Sequence, residues 1–294
     1  MTGHFPFFLS NILKKFLSIN KGKLMIRNIF LIMMLVTSVT TRASTPETDK
    51  RQTYQDPTTG MIFAWVPKGC FNMGDDSDDV GDEEKPVHQV CLNKGYWLGK
   101  YEVIVKQFRQ FTRATHYGGN GEDDYLCNGM ANPTFSQEDN QPTVCITWDD
   151  ANAFILWMNR HGHGTFRLAT EAEWEYACRS GGKDEKYCGR NDVDPAEWYG
   201  AGYSGRTDTI GQKVPNGLGL YDMKGNVWEW VQNWKGSYPV GSVTDPVGPD
   251  SGEHRIYRGG GWFLYATSMQ SAYRFIAPPY NRYSYIGFRV LKQP

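Results

Sequence analysis

Six cysteines lie between positions 70 and 188 of this 294-residue chain, and none lies outside that interval. They are Cys70, Cys91, Cys127, Cys145, Cys178 and Cys188. An even count in an exported protein predicts disulfides over metal ligation. Six cysteines admit about 15 pairings, and the simplest joins sequence neighbours: 70 with 91, 127 with 145, 178 with 188. Each bridge would close a loop of roughly 10 to 20 residues, worth about 3 kcal/mol in the chain-entropy model. No Cys-x-x-Cys occurs, which removes support for a thioredoxin-like or zinc-knuckle reading.

The export premise rests on residues 1–43, expected to be a signal peptide. They carry Lys14, Lys15, Lys21, Lys23, Arg27 and Arg42 and no acid. An apolar run, Ile29 to Val36, follows Arg27, and Thr41-Arg42-Ala43 offers a small-x-small cleavage site before Ser44. The run is shorter than the ~20 residues a bilayer span requires, so no stable membrane insertion is expected after leader removal. Taking away the six leader cations leaves 25 basic residues against 32 acidic ones. An acidic exported protein is a poor candidate for nucleic acid. A secreted, periplasmic or cell-surface location follows.

Residues 44–59 are polar and expected to be a linker, disordered to about residue 57, ahead of one domain over 60–294. Met61 to Val66, Val87 to Leu92 and Tyr96 to Gly99 alternate like strands. Seven acids between Asp75 and Glu84 read as a solvated loop, since they lack the alternating oxygen ligands of an EF-hand. Helices are expected from about Ile104 to Ala114, from Thr147 as N-cap to a stop at Gly162, and after the capping box Thr170/Glu173. Beyond Cys188 the chain is rich in Gly, Asn, Asp, Trp and Tyr, and short strands with long ordered loops are expected. The fold class is therefore α+β.

Four segments stand out: Arg167-Leu-Ala-Thr-Glu-Ala-Glu-Trp-Glu-Tyr-Ala177, Asn216 through Trp230, Arg258-Gly-Gly-Gly-Trp262 and Gly287-Phe-Arg-Val290. In this order and spacing they resemble the formylglycine-generating enzyme, or sulfatase-modifying factor, family over about residues 60 to 292. The resemblance implies a C-type-lectin-like fold with low regular secondary structure. It also implies oxidation of a cysteine in a sulfatase Cys-x-Pro-x-Arg segment, with copper held by two cysteines. Those cysteines would fall on Leu264 and between Thr267 and Met269, and a Cu(I) site needs thiolates. Copper and formylglycine formation are therefore not expected. Related ergothioneine-type synthases bind iron through a His-rich helical domain, which has no counterpart here. His161 and His163 flank Gly162 at a helix end and read as solvated or capping residues.

The resemblance further implies structural calcium at Asp222, Gly225, Val227 and Glu229 through side chains and carbonyls. Asn226 and Glu229 read equally well as hydrogen-bonding groups around Trp228 and Trp230. Arg289 reads as a buried structural arginine. The tail from Trp262 to Ile286 crowds aromatic residues where the family places its substrate groove, and resembles the variable region of proteins diversified by retroelements. Adenine mutagenesis of AAY codons in such systems cannot reach Trp, Met, Gln, Lys or Glu. Phe263, Leu264, Tyr265, Thr267, Ser268, Tyr273, Phe275, Ile276, Ala277, Tyr280, Tyr283, Ser284 and Tyr285 all belong to the reachable set and are the candidate ligand-binding residues. Tyr and Ser supply rigid amphipathic contact and adaptable hydrogen bonds. The expected function is a non-catalytic module that binds a protein or glycan ligand. The alternatives are a formylglycine-generating-type oxidase and a structural subunit of an envelope complex.

Overall fold

Strand Ile62–Val66 (β2) buries Phe63 against one core and Ala64 and Val66 against another. That double burial organises the main sheet of the computed structural model, which describes residues 52–192, 205–263 and 269–294. The described residues fall in one compact unit, 50–294; residues 1–51, with the expected signal peptide, lie outside them.

The five-stranded sheet runs β1 (Thr53–Gln55), β2, β5 (Tyr96–Gly99), β14 (Val290–Lys292), β7 (Phe166–Leu168). Val290 packs with Phe108, Phe154 and Phe288 on one side, and Leu291 with Leu98, Tyr176 and Val231 on the other. A sheet covered on both faces needs apolar residues at successive positions, which explains the aromatic richness. A three-stranded sheet joins β3 (Gly69–Met73), β4 (His88–Leu92) and β9 (Val243–Thr244). A four-stranded sheet has the order β11 (Arg274–Ala277), β10 (Arg255–Arg258), β8 (Trp228–Trp234), β13 (Ile286–Phe288). A short parallel pair links β6 (Glu122–Asp123) to β12 (Asn281–Arg282).

The three expected helices form as α1 (Val105–Thr115), α2 (Trp148–Arg160) and α3 (Glu171–Cys178). In α1, Val105, Phe108 and Phe111 recur at helical spacing and are the buried residues. The caps of α2 and α3 are reciprocal: Thr147 and Asp150, then Thr170 and Glu173, exchange side-chain and backbone hydrogen bonds.

All three neighbour pairings of cysteine form, leaving no free thiol. Cys70 and Cys91 sit directly opposite each other in the β3–β4 register.

Two expectations need correction. The polar segment 44–59 is not a linker throughout, because Thr53–Gln55 pairs antiparallel with β2. Tyr54 of that strand packs on Phe63 and Trp97, and buried Asp56 closes the hairpin by accepting from the Thr59 amide and hydroxyl at 2.7 Å. The acidic loop is not solvated throughout either. Glu84 is buried and accepts the Arg274 amide at 3.1 Å, satisfying a donor on the edge strand β11.

Candidate functional site

Burial alternates along the turn that links β12 to β13. Arg282, Ser284 and Ile286 are buried, while Tyr283 and Tyr285 are half-exposed. Arg282 faces Asp150 at the start of α2 (3.4 Å) and Asp123 of β6 (3.3 Å). Backbone bonds hold the rest: the Cys145 amide donates to Tyr283 (3.0 Å) and the Trp228 amide to Tyr285 (2.9 Å). The Trp262 indole N–H donates to the Ser284 carbonyl at 3.2 Å. The Cys127–Cys145 disulfide therefore braces the backbone from which both tyrosines project.

Two aromatic groups result. Tyr285 meets Phe263 at 4.6 Å and Tyr283 at 5.2 Å, and Phe263 meets Trp262 at 5.3 Å. On the edge strand β11, Phe275 stacks on Tyr257 at 5.9 Å and contacts Tyr273 at 5.2 Å. The edge of Trp228 closes against Phe275 at 5.1 Å. Phe263, Phe275, Ile276 and Tyr280 are between 38 and 50% exposed. Burial, reinforced by Tyr283, Asp124 and Tyr125, pushes the Tyr285 phenol upward. It thus remains a neutral hydrogen-bonding group around neutral pH. The Asn281 amide donates to the Tyr283 hydroxyl at 3.0 Å.

Not every candidate joins this face. Ala277 (3% exposed) and Ser284 (0%) point inward and are corrected to packing residues. Ser284 lies in the turn between β12 and β13, buried between two partly exposed tyrosines. Leu264, Tyr265, Thr267 and Ser268 lie outside the described residues.

The four resembling segments converge below this face as buried ion pairs. Fully buried Arg258 donates to Glu171 at 2.8 Å and to Glu175 at 2.6 Å. Arg179 also donates to Glu175 at 2.9 Å, and Arg274 to Glu171 at 2.9 Å. Burial works to raise the Glu175 carboxyl, but Arg179 and Arg258 hold it below the usual range. Arg289 grips Glu229 through three bonds of 2.7 to 3.1 Å, and Trp174 donates to the same carboxylate at 2.7 Å. Arg289 is buried, with no substrate-facing surface.

This geometry bears on the four residues expected at calcium. Glu229 is saturated by Arg289 and Trp174, and one Asp222 oxygen accepts the Gly211 amide at 2.6 Å. A hard cation needs several free oxygens, and among the described residues no three acidic, His or Cys side chains gather to hold a metal. Of the expected set, Glu229 is thus taken by protein donors, and the second Asp222 oxygen and the Gly225 and Val227 carbonyls are the oxygens left for a cation. Asn226 bonds Glu102 and the Asp208 amide, as a turn-forming residue would.

Sequence reasoning missed Glu102, a fully buried acid with no motif around it. It accepts from Asn226 (2.8 Å) and the Val227 amide (3.2 Å). Burial, with Asp222 and Glu229 nearby, pushes its carboxyl well above the usual range. A carboxyl raised in the fold stays protonated there while its unfolded counterpart ionises. Stability is then lost as pH rises above the unfolded value. Glu102→Gln removes this titration. The Tm of the variant relative to the wild type is expected to climb as pH goes from about 5 to about 8. Thermal unfolding at several pH values checks this, and a constant difference would refute it.

A mixed α+β scaffold with little regular structure and four buried motif segments defines the C-type-lectin-like class used by formylglycine-generating enzymes. The model for the sulfatase-modifying factor enzyme 1-like domain matches residues 45–294, and the chain belongs to that family. It is 28% identical to the formylglycine-generating enzyme of Thermomonospora curvata, over 83% of this chain and 97% of that protein. Among solved structures, PvdO from Pseudomonas aeruginosa superposes with a TM-score of 0.71 at 26% identity, covering 83% of this chain and 98% of that one. Treponema denticola variable protein 1 superposes with a TM-score of 0.67 at 25% identity, covering 83% and 99%. Among the described residues no helix is long and apolar enough to cross a membrane.

Proposed function

We propose that this protein is an exported, non-catalytic member of the family that binds a protein or glycan ligand through its C-terminal aromatic face. The observation that carries the reading is the state of the cysteines. All six are consumed by disulfides that brace the fold, so no thiolate remains to hold copper. Disulfides of this number persist in an oxidising compartment, which supports export.

The aromatic face supports the binding half of the proposal. Phe263, Phe275, Tyr280, Tyr283 and Tyr285 present rigid rings with few rotatable bonds, and their phenols offer hydrogen bonds.

Two measurements test the proposal. Purified protein incubated with copper, a reductant, oxygen and a Cys-x-Pro-x-Arg peptide is expected to leave the thiol unchanged by mass spectrometry. Aldehyde formation would establish the oxidase alternative. Ligand captured from the protein's own cell surface is expected to bind at least about tenfold more weakly to a Tyr283→Ala/Tyr285→Ala variant, as when interface aromatic anchors are lost. Unchanged capture by the folded variant would remove the aromatic face from the function.

A further inference from the structure

We infer that a second site, a groove of 800 Å³ beside the β2–β3 and β4–β5 links, binds an acidic saccharide. Its lining shares no residue with the aromatic face, and the inference does not depend on that face's role.

The groove is built by strand register. Val66 pairs with Tyr96 and Gly69 with Leu92, so the links Pro67–Lys68 and Asn93–Gly95 run side by side. Lys68 and Lys94 are exposed there, and neither has an ion-pair partner among the described residues. Of the two side-chain carboxylates on the lining, one is neutralised by a cation. Glu173 is clamped by Arg167 through two bonds of 2.6 Å, and Asp245 accepts the Asn93 amide at 2.9 Å. Two free ammonium groups are thus left in an otherwise acidic protein.

Trp65 forms an aromatic wall. The edge-on ring of Trp97 holds it at 5.0 Å, and its six-membered ring lies so close to Gly95 that any Cβ there would collide with it. Asn93, Thr170 and Gln232 add polar residues to the lining.

These features specify the ligand's chemistry. A pyranose presents a flat C–H face for Trp65 and hydroxyl groups for the polar residues Asn93, Thr170 and Gln232. A carboxylate or sulfate on that sugar meets Lys68 and Lys94. An acidic peptide supplies the anion but not the rigid flat face. The volume falls within the ~300–1,000 Å³ of small-ligand sites.

A glycan array probed with the labelled full-length protein tests the inference. Its panels carry uronate, sialate and sulfated oligosaccharides, neutral oligosaccharides and a poly-glutamate control. Selective binding to acidic glycans is expected, weakening as salt rises. Lys68→Glu/Lys94→Glu alters exposed side chains only and is expected to bind about tenfold more weakly while keeping the wild-type circular dichroism. Tyr283→Ala/Tyr285→Ala is expected to leave this binding intact. Absence of acidic-glycan binding above the double-lysine variant would overturn the inference. Equal binding of neutral glycans or of poly-glutamate would overturn it too.

Discussion

Arg258→Met is expected to destabilise the protein by about 3–5 kcal/mol, the cost of stranding a buried charge partner. Methionine fills much of the same volume, so the loss is electrostatic and not a cavity. Arg258 gives one nitrogen to Glu171 and the other to Glu175 and the Ser271 carbonyl, all within 2.6 to 2.8 Å and shielded from water. Without it, Glu175 keeps Arg179 and Glu171 keeps Arg274, but each buried carboxylate loses a charged hydrogen bond and the excess positive charge that held it. The contrast is Arg109, whose 2.6 Å pair with Asp139 is about half-exposed; Arg109→Ala should cost less than about 1 kcal/mol. Urea unfolding of both variants measures the difference. A loss below about 1 kcal/mol for Arg258→Met would show that the buried network contributes little beyond its hydrophobic isostere. The pH dependence carries a further sign. The depressed carboxyl of Glu175 makes wild-type stability fall as pH drops below the unfolded carboxylate value. The deficit of the variant should therefore shrink in acid.

Reduction of the three disulfides is expected to unfold the protein. Loops of 21, 18 and 10 residues contribute about 3 kcal/mol each in the chain-entropy model, against a typical total stability of about 5–15 kcal/mol. Tryptophan fluorescence during titration with a dithiol follows the loss, because Trp174, Trp228 and Trp230 are fully buried. A reduced protein that keeps the native spectrum would show that the double-sided core suffices alone. Cys127–Cys145 braces the backbone of Tyr283, so replacing this pair by serine should also weaken ligand capture by the aromatic face.

Several features were legible because their causes are local. The capping boxes at Thr147 and Thr170 depend on residues three positions apart. The disulfides join neighbours because short loops close at low entropic cost. The aromatic tail was legible as a surface only in part. The turn between β12 and β13 buries Ser284 and leaves Tyr283 and Tyr285 partly exposed, and composition does not encode that turn. Phe275 and Ile276 are exposed because β11 ends the four-stranded sheet, and sheet order is not a local property.

The acids show the same divide. Glu84 and Glu102 look like any other acids in the sequence, and Glu229 stands out only as a motif residue without its arginine partner. One caps an edge strand, one is buried near other acids, and one neutralises an arginine 60 positions away. By itself the sequence determined the helix caps, the α+β class and, through four spaced motifs, the family, while neighbour pairing of the cysteines was only the simplest of the pairings it allowed. Only the tertiary structure decided that the C-terminal strand lies between β5 and β7. It also decided that Arg258 and Arg289 are spent on buried glutamates and that two lysine-bearing links flank a groove. Those outcomes follow from contacts between segments far apart in the chain, where burial of both partners, and not the identity of either, sets the charge and the chemistry.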